Sequence, residues 1–152
     1  NGAGILALSG ASTYSGATTV SAGTLTVEAT GSVTTASNIL FTVSGATAVA
    51  NIAGTYTSTG GGGLAINSGG ILNTSGNVSF SGANTQALLL GTAGGSGTWN
   101  VTAGSVSVNY LSNGFGIGNG GAGTMNVSGG SVTGDGLAME VRVLQMLLGF
   151  AA

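Results

Sequence analysis

The chain opens, at residues 2–33, with GAGILALSGASTYSGATTVSAGTLTVEATGSV. Three segments of this stretch (residues 5–8, 18–20 and 24–27) are rich in apolar, β-branched or Thr residues, and each has the length of a short strand. Glycines separate them at corners where a turn through positive φ favours glycine: Gly10, Gly16, Gly23 and Gly31. Strands alternating with corners predict an all-β fold in which this block forms one turn of a parallel β-helix, or β-solenoid.

Later stretches repeat this pattern. Residues 97–106 (GTWNVTAGSV) match residues 123–132 (GTMNVSGGSV) at an offset of 26 without a gap, and residues 23–33 and 64–72 fit the same template more loosely. At about 20–26 residues per turn, the chain would hold about six or seven turns.

Alternation with a period of two divides the repeat into an inward and an outward set. The predicted core is Leu25, Val27, Leu64, Ile66, Trp99, Val101, Met125 and Val127. Trp99 is interpreted as core, the alternative being an exposed ligand platform. The predicted outward set, whose Thr and Asn members can form ladders between turns, is Thr26, Ala65, Asn100 and Asn126.

Composition excludes several classes of function. Only 3% of the 152 residues are charged, the net charge is −2, and His and Cys are absent. The usual acid, base, nucleophile and metal ligands are therefore missing, so we expect no enzyme activity, no cofactor and no metal site. No basic patch exists to bind nucleic acid, and no window is long and apolar enough to span a membrane.

Two motifs carry weak chemical signals. Residues 116–121 match G-x-G-x-x-G, but no helix is predicted to follow, so dinucleotide binding is not expected. A single Gly-Asp-Gly at residues 134–136 resembles a calcium-binding nonapeptide, whose Asp must recur in successive turns. Asp135 has no such recurrence, which argues against calcium.

The opening block resembles the autotransporter-associated β-strand repeat, also called the passenger-associated transport repeat. The matching residues are 4–10, 13–16, 17–20 and 22–27, with Ser12 standing where the family often has Asn. The resemblance implies a right-handed parallel β-helix in a secreted bacterial surface protein, and it brings no catalytic residues. Asn1 is not followed by the basic start and apolar run of a signal peptide, which indicates a mature chain, an internal part of a longer protein or a fragment.

The repeats predict a solenoid over residues 1–136, with a loop at residues 60–63, and an atypical apolar segment at residues 137–152. In that segment Glu140 and Arg142 alternate with apolar residues, but a helical reading is equally consistent. Because open solenoid ends must be capped or paired, we expect the segment to be a cap or an inter-subunit connector. The candidate self-association residues are Ile5, Leu6, Met139, Val141, Val143, Leu147 and Phe150.

Three hypotheses for function follow. The first is a structural extracellular or cell-surface β-solenoid that self-associates end to end into a homo-oligomer, such as a fibre. The second is an adhesin segment that binds glycan or host surface through its Thr and Asn faces and Tyr14, Tyr56 or Tyr110. The third, ice binding, would need a regular Thr-x-Thr ladder, and the two such triplets (residues 24–26 and 55–57) do not recur at one repeat position.

Overall fold

Short β-branched and apolar runs form strands along the whole described chain. The computed structural model of the protein describes residues 2–36, 41–81, 88–92, 94–109, 115–118 and 120–135. These residues contain no helix, and their strands are β1 (Ile5–Leu8), β2 (Ala11–Tyr14), β3 (Thr18–Val20), β4 (Gly23–Val27), β5 (Ser32–Thr35), β6 (Phe41–Ser44), β7 (Ala48–Ile52), β8 (Thr55–Ser58), β9 (Leu64–Asn67), β10 (Gly70–Thr74), β11 (Asn77–Ser81), β12 (Leu88–Leu90), β13 (Ser96–Val101), β14 (Ser105–Asn109), β15 (Phe115–Ile117), β16 (Ala122–Val127) and β17 (Ser131–Asp135).

Every third strand joins the same parallel sheet, so the chain is a β-solenoid, as the sequence predicted. Sheet A has the order β1-β4-β7-β10-β13-β16, sheet B the order β17-β14-β11-β8-β5-β2, and sheet C the order β15-β12-β9-β6-β3. The described strands make five complete three-strand turns, and β16 and β17 begin another, slightly fewer than expected. One reason is that some turns are longer than the assumed repeat: Asn77 pairs with Ser105, a step of 28 residues.

The first block contains one strand more than the sequence predicted. The three expected strands are present as β1, β3 and β4, but Ala11–Tyr14 is also a strand, and β4 already belongs to the second turn. The residues of β2 (Ala-Ser-Thr-Tyr) include no aliphatic residue larger than Ala, so the sequence reading assigned them to a corner. Pairing with β5 along its whole length supplies the stabilisation that local propensity lacks.

The core consists of columns of inward side chains stacked from turn to turn. On sheet A the two inward columns are Leu6, Leu25, Ala50, Leu72, Trp99 and Met125, and Leu8, Val27, Ile52, Thr74, Val101 and Val127. Six of the eight predicted core residues are buried, and Trp99 is fully inaccessible, so its core assignment is confirmed. Each buried aliphatic side chain contributes about 1.5–3 kcal/mol relative to exposure.

Two predictions about this core were wrong. Leu64 and Ile66 are buried, but they lie on sheet C, and the sheet A equivalents of Leu25 and Val27 in that turn are Leu72 and Thr74. The sequence match was misleading because both sheets use the same apolar alternation. Val127 is 43% exposed, since β16 is the last strand of sheet A within the described residues.

Aromatic residues fill the interior between sheets B and C. The Tyr56 ring stacks on Phe41 with centroids 5.1 Å apart and tilts against Phe80 at 5.7 Å. Phe41 lies on β6 of sheet C, and Tyr56 and Phe80 lie on β8 and β11 of sheet B, so the three residues come from three successive turns. Their contacts join neighbouring turns, so each turn depends on the next for burial.

A column of glycines forms the corner between sheets A and B. A Cβ on Gly54 would lie 2.1 Å from the Gly31 carbonyl oxygen, one on Gly76 1.9 Å from that of Gly54, and one on Gly104 1.9 Å from that of Gly76. Close approach of stacked backbones therefore requires glycine here. Of the four glycines expected at positive φ in the first block, only Gly23 has it, at 72°.

The remaining predictions concern segments between and beyond the strands. Residues 60–63 connect β8 to β9, and the last three of these glycines are buried. Phe41 N–H donates to the Gly63 carbonyl at 2.9 Å, which ties this corner to the neighbouring turn. Residues 137–152 lie outside the described residues, so their helical and strand readings both remain predictions. Within the described part, no helix has the length and apolar character needed to cross a membrane.

Candidate interaction surfaces

The candidate sites among the described residues are outward polar faces and an exposed apolar edge. They contain no group of three or more His, Cys, Asp or Glu side chains close enough to hold a metal ion. The G-x-G-x-x-G motif begins in β15, and the next element is strand β16 rather than a helix. Phosphate binding by that motif needs the amino terminus of a helix after the glycines, and the described residues that follow form a strand instead.

The outer face of sheet A carries an asparagine ladder. Nδ2 of Asn73 donates to Oδ1 of Asn51 at 2.9 Å, Nδ2 of Asn100 to Oδ1 of Asn73 at 2.8 Å, and Nδ2 of Asn126 to Oδ1 of Asn100 at 2.7 Å. The ladder exists because the four residues hold one outward register position in successive turns. The predicted outward placement of Asn100 and Asn126 is confirmed. Each inner amide both donates and accepts, so these polar groups satisfy one another.

The outer face of sheet B carries two columns of small residues, all polar except Ala11, which we call the hydroxyl face. Its first column is Ala11, Ser32, Thr55, Asn77, Ser105 and Ser131, and its second is Thr13, Thr34, Thr57, Ser79, Ser107 and Thr133. The two columns occupy alternate positions of each strand, with buried or half-buried residues such as Val78 and Val106 between them. The second column has a hydroxyl in every turn.

Sequence reasoning missed the hydroxyl face because it searched for Thr-x-Thr alone. Residues 24–26 and 55–57 lie on different sheets, A and B. The sheet B equivalents of residues 55–57 are residues 11–13, 32–34, 77–79, 105–107 and 131–133, in which Ala, Ser or Asn replaces one or both Thr residues. A search for Ser or Thr at both outer positions of a triplet would have found most of the face.

Two of the three tyrosines proposed as glycan contacts, Tyr14 and Tyr56, are described, and they are not displayed together. Tyr56 is buried in the core at 4% exposure, so it is not a surface contact. Tyr14 is half-buried and packs against the core, and its hydroxyl is hydrogen-bonded to the Thr18 hydroxyl. Tyr110 lies outside the described residues. Sugar recognition by stacking on Tyr14 and Tyr56 is therefore not supported by this geometry.

The first turn exposes apolar side chains at its outer edge. Strands β1, β2 and β3 each form an edge of their sheet. Ile5 is 77% exposed, and Leu6, which occupies the inward column above Leu25, is 60% exposed. A cleft of about 370 Å³ lies beside them, lined by Leu6, Val20 and Leu25 among others. Of the seven predicted self-association residues, these two are described, and the other five lie outside the described residues.

Parallel in-register sheets, a continuous core and the asparagine ladder define this chain as a parallel β-solenoid. Residues 1–27 match the family model of the passenger-associated-transport-repeat, which occurs in the passenger regions of autotransporters. The match covers the block from which the resemblance was drawn, which is 27 of the 152 residues. No curated protein and no solved structure matches the chain.

Proposed function

We propose that this chain is a non-catalytic structural segment of a secreted bacterial surface passenger and that copies associate end to end through the first turn. The exposure of Leu6 at 60% is the observation that carries the proposal. In every complete inner turn this column is covered on both sides, whereas Leu6 has Leu25 on one side only. A strand placed on β1 would bury Leu6 and pair the backbone edge of sheet A.

The second copy supplies the covering strand in this proposal. The alternating apolar residues 139, 141 and 143 have the period that a strand added to sheet A would need. The net charge of −2 on 152 residues gives little electrostatic repulsion between copies. Contacts between two different ends do not close on themselves, so the expected product is a filament.

Size-exclusion chromatography with light scattering and negative-stain microscopy test the proposal. The intact chain should form rods longer than one molecule, and Leu6→Asp should reduce them to monomers because it places a charge in the column that becomes buried. Ala7→Asp is the matched control, since it adds the same charge on the same strand at an outward position. Deletion of residues 137–152 should also abolish the rods. A folded intact chain that stays monomeric at high concentration would refute end-to-end association.

A further inference from the structure

The hydroxyl face differs from the asparagine ladder in how its polar groups are satisfied. Within the described residues, five of the six hydroxyls of its second column have no hydrogen-bond partner: Thr13, Thr34, Thr57, Ser79 and Ser107. The sixth, Thr133, donates to the Val106 carbonyl at 3.4 Å. These hydroxyls must be hydrogen-bonded by something outside the protein, and in solution that is first-shell water.

The sheet fixes these hydroxyls in a rectangular array. Residues of all six strands pair one to one without a bulge, as in the pairing of Thr57 with Ser79 and of Ser79 with Ser107. In the second column hydroxyls therefore recur at about 4.8 Å across the strands, and in the four strands whose first-column residue also has a hydroxyl the two hydroxyls lie about 6.6 Å apart along the strand. Ala11 and Asn77 interrupt the first column, and the Ser105 hydroxyl donates to Oδ1 of Asn77 at 2.9 Å. Over six strands the array is about 24 Å long. Water molecules on the prism face of hexagonal ice recur in a rectangular lattice of similar dimensions.

The composition of the two columns also favours an uncharged partner. None of the twelve residues of the hydroxyl face is charged, and none is aromatic. Of the acidic residues among the described ones, Glu28 follows β4, and Asp135 ends β17 two residues after Thr133, beyond the two columns. A face without charge has no electrostatic attraction for nucleic acid or acidic polymers, and one without aromatic rings lacks the usual stacking platform for sugars.

We propose that the hydroxyl face binds ice. The free hydroxyls hold first-shell water at lattice spacing, and this ordered layer joins the growing crystal. The Thr methyl groups of the second column, in four of its six turns, limit the positions that those waters can occupy. Sheets A and C lack such an array. Some outward residues of sheet A form the asparagine ladder, and others are aliphatic. The outward residues of sheet C include Ala65 and Leu89.

Ice recrystallisation assays and ice-affinity capture of the full chain test this assignment. The chain should concentrate in slowly growing ice and slow recrystallisation. Ser79→Lys places a charge at the centre of the array. It should raise the protein concentration required to slow recrystallisation about tenfold, equivalent to about 1.4 kcal/mol. Thr42→Lys is the matched control, because it places the same charge on the outer face of sheet C. Circular dichroism melting establishes that both variants are folded.

A second variant is designed to strengthen ice binding. The double substitution of Ser79→Thr and Ser107→Thr places threonine at every position of the second column. It should lower the protein concentration required to slow ice recrystallisation. The proposal is overturned if the folded chain is excluded from ice, if Ser79→Lys and Thr42→Lys reduce activity equally, or if the chain instead binds an insoluble neutral glucan through the same face.

Discussion

The indole nitrogen of Trp99 donates a hydrogen bond to the hydroxyl of Thr74 at 3.0 Å inside the solenoid. The two residues lie in adjacent turns, and both are fully buried. Thr74 holds a column position occupied in the neighbouring turns by Ile52 and Val101, so it is a polar residue in an aliphatic column. Its placement is explained by the large aromatic residue of the next turn, whose N–H needs an acceptor.

Replacing Thr74→Val should destabilise the protein although it preserves shape. The substitution removes the acceptor of the Trp99 N–H, a loss of about 1–3 kcal/mol for a buried donor. Urea unfolding followed by Trp99 fluorescence measures the change. Thr74→Ser is the control, because it keeps the hydroxyl and loses only a methyl group, about 1 kcal/mol. A Val variant at least as stable as the parent would contradict this account.

The asparagine ladder predicts a graded effect of single substitutions. Asn100 both donates to Asn73 and accepts from Asn126, whereas Asn126 makes only the bond to Asn100 within the described ladder. At about 0.5–1.5 kcal/mol per bond, Asn100→Ala should cost about twice as much as Asn126→Ala. Chemical denaturation of the two variants gives the comparison. Equal costs would mean that the bonds contribute nothing beyond the side chain itself.

A side chain at Gly76, in the corner between sheets A and B, should destabilise the protein. A Cβ there would lie 1.9 Å from the carbonyl oxygen of Gly54, so Gly76→Ala requires backbone displacement in two turns. We expect a loss of about 3 kcal/mol or failure to fold. Gly10→Ala is the control, since no atom lies within 4 Å of its added Cβ, and its change should stay within about 1 kcal/mol. Thermal melting by circular dichroism separates the two outcomes.

One buried hydroxyl has no partner, and removing it should stabilise the protein. Ser58 is 1% exposed, and its Oγ makes no hydrogen bond. Ser58→Ala eliminates the desolvation cost without adding volume, so we expect a gain of about 1 kcal/mol. Ser79→Ala removes the same group from the solvent side of the neighbouring strand and should change stability by less than about 0.5 kcal/mol. A destabilised Ser58→Ala variant would indicate that a buried water occupies the site.

Several features of the molecule could be predicted from local sequence. Residues 24–27 and 99–101 alternate apolar and polar side chains. Alternation with a period of two in a short run bounded by glycines predicts a β-strand with one buried face. The parallel solenoid follows, because the match of residues 97–106 to residues 123–132 requires the same environment once per turn. The inward Trp99 and the outward Asn100 and Asn126 follow from that register as well.

The tertiary structure alone decided which turns and faces coincide. The length of a turn varies from 19 residues, between Ile5 and its partner Thr24, to 28 residues, between Asn77 and its partner Ser105. Because the length varies, no fixed period in the sequence assigns Leu64 to sheet C and Leu72 to sheet A. Hydrogen bonding between strands sets that register, and its partners lie a full turn apart in sequence. The asparagine ladder and the hydroxyl face arise only when those partners stack, because each of their members is an ordinary polar residue until its neighbours in the adjacent turns lie beside it.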